Sequence, residues 1–137
     1  MKNRILVVDD EADIAKTLCL ILEFNGYTAA WAESGCEAIA KAEDYQPDVL
    51  VSDVLMPGLN GFEIGLRVKQ HCPNCRLVFI TGLNPSVARE NNLMRALEAR
   101  GYDFELLTKP VPPDIFLESV RTALLKEPQS STGRHEG

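Results

Sequence analysis

The chain has 137 residues, the size of one compact domain and too short for two enzyme domains with separate cores. Hydrophobic residues make up 45% and charged residues 25%, which excludes global disorder. Asp and Glu number 20 against 14 Lys and Arg, and the net charge of −6 argues against nucleic acid or an anionic membrane as partner and favours a basic protein surface. Only four apolar residues precede Asp9 and Asp10, too few for a signal-peptide core, and no apolar run reaches the ~20 residues that cross a bilayer. A soluble, cytoplasmic protein with reduced cysteines is expected.

Arg4-Ile-Leu-Val-Val8 is a continuous apolar, β-branched run, the pattern of a strand covered on both faces (β1). Ile14, Leu18, Ile21 and Leu22 form one stripe at helical spacing, and Asn25-Gly26 supplies a left-handed stop (α1). Tyr27 to Ala32 reads as strand β2. Ser34 and Glu37 match a capping box for a helix to about Tyr45, which Pro47 terminates (α2). Asp48 to Asp53 is a second buried-strand pattern (β3), and Asn60 with Glu63 opens a helix from Gly61 to His71 (α3). Arg76 to Thr81 is β4. Asn84-Pro85 reads as N-cap and first position of a helix running to Arg100, with Gly101 just beyond it (α4). Phe104 to Leu107 is β5, and Pro112-Pro113 opens a last helix whose Phe116, Val120 and Leu124 share a face (α5). Residues 127–137 are polar and rich in Pro, Gly and Ser, so residues 1–126 are expected to form the domain and 127–137 a disordered tail.

Five strands alternating with five helices imply an α/β fold, a doubly wound parallel sheet with helices on both faces and the flavodoxin-like strand order 2-1-3-4-5. Ligands of such sheets bind beyond the carboxyl ends of the strands, where strand order reverses, here between β1 and β3. Asp9 and Asp10 follow β1, Asp53 ends β3, Thr81 ends β4 and Lys109-Pro110 follows β5. Carboxylates gathered there repel by roughly 4 kcal/mol per pair at ~4 Å and an effective dielectric near 20, so positive charge must offset them. Oxygen ligands without Cys or His favour a hard ion that keeps several waters, Mg²⁺ rather than Ca²⁺. A divalent ion and a lysine around a carboxylate suit phosphoryl transfer, with the carboxylate as nucleophile.

Four segments, Val8-Asp9-Asp10-Glu11, Asp53-Val-Leu-Met-Pro-Gly-Leu-Asn-Gly61, Thr81-Gly82 and Lys109-Pro110, together resemble the response-regulator receiver domains of two-component signalling, over about Arg4 to Lys126. The resemblance implies Asp53 as phosphoacceptor and Asp10 as metal ligand, with Asp9 acting through water and the backbone carbonyl of Leu55 completing the set. It implies Thr81 as the hydroxyl bonding a phosphoryl oxygen, Lys109 as the lysine pairing with the phosphoryl group, and a cis Lys109-Pro110 bond. A histidine kinase or phosphotransfer protein would be the donor, a downstream protein the target, and the α4-β5-α5 face the switching surface, open also to homodimer formation. Thr81 and Lys109 are 28 positions apart, more than the family's usual spacing, and Leu106 stands where the family carries an aromatic switch residue. The run from Gly101 to Val111 looks like receivers that stand alone, without an attached output domain.

Rival readings are weaker in residues. The helicase-like Asp10-Glu-Ala-Asp13 has no accompanying phosphate-binding Gly-rich loop, and a flavin site would want Gly, Ser or Thr where Asp9 and Asp10 stand. A Mg²⁺-dependent aspartate-nucleophile phosphohydrolase would want an Asp-x-Asp pair after β1 and a cap domain. A phosphorylation-independent binding module on the same fold is the nearer alternative, motivated by Leu106 and the longer β4-to-β5 segment. His71-Cys-Pro-Asn-Cys75 offers one C-x2-C pair where zinc needs about four ligands, so Cys72 and Cys75 are expected in a surface loop, with Cys19 and Cys36 in helix packing and Trp31 partly buried.

Overall fold

The computed structural model describes residues 2–82 and 92–126. Among these, β1 (Arg4–Val8), β2 (Thr28–Ala32), β3 (Val49–Asp53), β4 (Arg76–Thr81) and β5 (Phe104–Thr108) form one parallel sheet in the order β2-β1-β3-β4-β5. The continuous apolar runs occupy the positions their composition demands: β3 is buried at all five residues, and Ile5 to Val8 of β1 are buried too. The doubly wound, flavodoxin-like arrangement expected from the sequence is the one observed.

Alternating side chains divide the interior in two. Leu6, Val8, Leu50, Leu77 and Phe79 face α2 (Gly35–Tyr45), α3 (Gly61–His71) and the described part of α4 (Asn92–Ala99), which contributes Met94 and Leu97. Ile5, Val7, Val49, Val51, Val78 and Ile80 face α1 (Ala12–Phe24) and α5 (Pro113–Leu125). The expected start of α4 at Asn84-Pro85 and the tail at 127–137 lie outside the described residues.

Helix ends follow local chemistry. Ser34 accepts a hydrogen bond from the Glu37 N–H at 3.1 Å, and the Asn60 side chain accepts one from the Glu63 N–H at 3.0 Å, so both caps act as read from sequence. At the other end of α2 the Arg4 guanidinium donates to the carbonyls of Tyr45 (2.8 Å) and Gln46 (2.9 Å), a cation placed where the helix leaves its last acceptors open.

Three expectations need correction. The buried stripe of α1 is Ala15, Cys19 and Leu22, with Leu18 and Ile21 at its margins and Ile14 exposed, because the small Ala15 rather than Ile14 lets the helix approach the sheet. Cys72 and Cys75 are not surface cysteines. The Pro73-Asn74 turn folds back, with the Cys75 N–H donating to the Cys72 carbonyl at 3.0 Å, and both side chains enter the core beside α2. Cys36 is exposed, since the buried stripe of α2 runs through Gly35, Ala38 and Ala42. The turn is further held by Lys69, buried although charged, whose ammonium donates to the Pro73 carbonyl at 2.9 Å and lies 4.9 Å from the Tyr102 ring centre. Trp31 is half-buried, as expected.

Burial pushes the Cys75 thiol up to about 12 and Cys19 up to about 11, and raises Cys72 as well. A thiol-specific reagent at pH 8 is therefore expected to titrate one fast thiol, Cys36, in the native protein and all four after unfolding.

Candidate functional site

The chain leaves β1 toward one face of the sheet, into α1, and leaves β3 toward the other, into α3. A crevice opens between the two departures, at the carboxyl ends of the strands. Asp9 is one residue past β1, and Asp53 is the last of β3; both are buried. Asp10 is exposed beside them, and carboxylate oxygens of Asp9, Asp10 and Asp53 all lie within 4.8 Å of one another.

Lys109 enters from the far side. Its ammonium donates to Oδ2 of Asp53 at 3.1 Å, and its backbone N–H donates to the Thr81 carbonyl at 2.8 Å, so the chain after β5 is pinned to the end of β4. Thr81 is fully buried, one residue beyond Ile80, which pairs with Asp53 across β3 and β4. The Lys109-Pro110 bond is cis.

The loop after Asp53 is held at both ends: the Val54 N–H donates to Ile80 and the Gly61 N–H to Val54, each at 2.9 Å. Helix α3 begins so close to the acidic strand end that a Cβ at Gly61 would meet the Asp53 carbonyl oxygen, which explains the glycine there. Gly58, with φ +81°, makes the turn in between. Met56 packs on the core, whereas the Leu55 side chain is exposed.

Charge at the site is unbalanced. Desolvation pushes the Asp9 carboxyl above its usual range, and Asp53 and Asp10 add to this, while the Glu11 N–H, bonded to its Oδ1 at 2.9 Å, and Lys109 offset it only in part. Burial lowers Lys109, but its bond to Asp53 and the charges of Asp53, Asp9 and Glu11 outweigh that and hold the ammonium above the ordinary lysine value. Among the described residues, one fixed cation, Lys109, thus faces three carboxylates. This all-oxygen cluster fits a hard divalent cation such as Mg²⁺.

Every side chain singled out at strand ends, Asp9, Asp10, Asp53, Thr81 and Lys109, comes to this end of the sheet. Sequence reasoning missed the apolar groove beside them, about 460 Å³, lined by Ile14, Leu18, Ile80, Pro110 and Val111 between Asp9 and Lys109. Its only signal was Ile14, an isoleucine assigned to the core that stands at the surface.

The family model for the response regulator receiver domain matches residues 5–121, and the chain belongs to this family. It is 30% identical over 124 residues to the DNA-binding response regulator MtrA of Mycolicibacterium paratuberculosis, covering 90% of this chain and 52% of that protein. It is 36% identical over 113 residues to the alkaline phosphatase synthesis transcriptional regulatory protein PhoP of Bacillus subtilis, covering 82% and 45%. The chain spans about half the length of these curated relatives. Among solved structures it resembles a receiver domain protein of Methanospirillum hungatei (27% identity, TM-score 0.78, 90% and 94% of the two chains) and the chemotaxis protein CheY4 of Vibrio cholerae (29%, 0.77, 90% and 100%). Receiver domains are signalling domains that bind Mg²⁺ at an acidic pocket and interact with histidine kinases and downstream effectors.

The raised Asp9 carboxyl carries a stability consequence. Its ionised form is less favourable in the fold than in the unfolded chain, so stability is reduced at neutral pH and regained as pH falls through the folded value. Asp9→Asn, which keeps the acceptor for the Glu11 N–H and removes the charge, is expected to raise the melting temperature by about 2–5 °C at pH 7 without divalent ions. Added Mg²⁺ is expected to stabilise the parent protein more than the variant, in calorimetric scans run side by side.

Proposed function

We propose that this chain is a phosphoacceptor switch whose acceptor is Asp53. The observation that carries the reading is the Lys109 ammonium 3.1 Å from an Asp53 oxygen, inside a cluster of three carboxylates. A histidine kinase or phosphotransfer protein would present a phosphohistidine. A carboxylate oxygen of Asp53 attacks phosphorus, the N–P bond breaks as the O–P bond forms, and the imidazole leaves with the electron pair. Hydrolysis returns the site to its start: water attacks phosphorus, and Asp53 leaves as carboxylate with release of inorganic phosphate. Lys109 pairs with a phosphoryl oxygen and the Thr81 hydroxyl bonds another. Asp10, Asp53 and the Leu55 carbonyl would hold Mg²⁺, with Asp9 assisting through water. When bound, the ion supplies the positive charge that offsets the phosphoryl oxygens.

The groove of Ile14, Leu18, Ile80, Pro110 and Val111 supports delivery by a protein, because it places an apolar seat against Asp9 and Lys109, the latter bonded to Asp53. Readout would run through β4 and β5, which the Lys109 N–H ties together at Thr81, to the α4-β5-α5 face and a downstream protein. We read the chain as a cytoplasmic receiver acting on proteins rather than nucleic acid or membrane; among the described residues no helix is long and apolar enough to cross a membrane. Leu106, paired with Phe79 and lacking a ring, favours a second reading, a binding module that keeps the fold without the switch.

Brief exposure to a small phosphodonor with Mg²⁺ is expected to add one phosphoryl mass to the parent protein and none to Asp53→Ala; an equal adduct on the variant would move the acceptor elsewhere. Ile14→Ser is expected to slow transfer from a phosphohistidine protein about tenfold while leaving small-donor labelling unchanged, a difference that separates docking from chemistry. Amide shifts on adding beryllofluoride distinguish the two readings: changes at Leu106 and Thr81 support the switch, and their absence with Asp53 occupied supports the passive module.

A further inference from the structure

We propose that the outward face of α1 and the adjoining edge of β2 form a self-complementary surface on which a second copy of this chain docks, with the two α1 helices antiparallel across a twofold axis near Leu20. Lys16, Leu20, Glu23 and Phe24 lie within about 100° of one another around the helix. Phe24 is 88% exposed and Leu20 56%. Beside them is a groove of about 310 Å³ lined by Lys16, Cys19, Leu20, Glu23, Ala29 and Trp31, larger than the ~150 Å³ that accommodates a benzene ring.

The charges say what covers this face. Lys16 lies 5.3 Å from the Trp31 ring centre, and neither Lys16 nor Glu23 takes part in an ion pair among the described residues. Antiparallel pairing about Leu20 sets Lys16 opposite Phe24 of the second copy and one position from its Glu23. The ring then covers the lysine stem and enters the groove, and the two opposite charges meet, twice by symmetry. An unrelated acidic or basic partner would leave one of the two charges facing its like.

Association by strand pairing at the same edge is disfavoured. The Lys41 ammonium donates to the outward carbonyl of Trp31, and the Tyr45 hydroxyl donates to Thr28 at 3.2 Å, so α2 side chains occupy acceptors along β2. Docking therefore runs through side chains on the α1 side. This face is separate from the acidic crevice and from the α4-β5-α5 surface, so the inference stands or falls independently of the phosphoacceptor reading.

Sedimentation equilibrium of the full chain, from micromolar to near-millimolar concentration, tests it. The parent protein is expected to self-associate to a dimer, and Phe24→Ser to be monomeric with an unchanged melting temperature, as befits an exposed position. Lys16→Glu and Glu23→Lys are each expected to weaken the dimer about tenfold. An equimolar mixture of those two variants is expected to recover parent affinity, because in the mixed dimer the two introduced charges meet each other on one side of the axis and the native Lys16–Glu23 pair is kept on the other. A parent protein that stays monomeric throughout, a dimer that survives Phe24→Ser, or a mixture no tighter than the single variants would overturn the proposal.

Discussion

Negative charge gathered at the carboxyl ends of β1 and β3 is the constraint on which the site depends. Asp9 and Asp53 are buried with Asp10 beside them, and the described chain places one ammonium, that of Lys109, against the cluster. Placing carboxylates together in a partly desolvated crevice costs free energy that the rest of the domain must supply. The surroundings are correspondingly rigid. β3 is buried throughout, Gly61 brings α3 against the Asp53 carbonyl, and Val54 is bonded to both β4 and Gly61. A site strained in this way responds to any ligand that rebalances its charge, whether a cation among the carboxylates or a phosphoryl group that engages Lys109.

Legibility in the sequence tracks how local each cause is. β1 and β3 could be read because strands buried on both faces must be continuously apolar, and the aspartates were conspicuous because each ends such a run. The caps at Ser34 and Asn60 were legible for the same reason, being a contact over three residues. Cys72 and Cys75 were misplaced because their burial comes from the Pro73 turn folding beneath α2, supported by Lys69, and none of that is encoded within a few residues. Ile14 was misplaced by hydrophobicity alone: periodicity gives a stripe, but the size of Ala15 decides which edge of it meets the sheet. The groove next to the acidic site follows from that shift.

The aromatic residues on β4, β5 and α3 form one cluster in the sheet's α3-side core. Phe104 shares a face of β5 with Leu106, and its ring packs edge-on to Phe79 at 5.5 Å, which in turn meets Phe62 at 4.9 Å. Gly65 makes room for this cluster, since a Cβ there would press on the Phe79 ring. The half-buried Phe104 is thereby packed between α3 and the sheet, one pleat repeat before Leu106.

On the proposed reading, a signal from Asp53 would reach the far edge of the sheet through the backbone rather than through a rotating side chain. The route is short. Lys109 touches Asp53 through its ammonium and Thr81 through its N–H, so one residue contacts the acidic cluster and clamps β5 to β4. On that reading, movement of the Lys109 side chain toward a phosphoryl oxygen would pull on a main chain whose hydrogen bond ends in the Thr81 carbonyl, and Leu106 lies three residues upstream, on β5, paired with Phe79. An aliphatic residue at that position can follow a small displacement by repacking among its neighbours, with no rotamer exchange of a large ring.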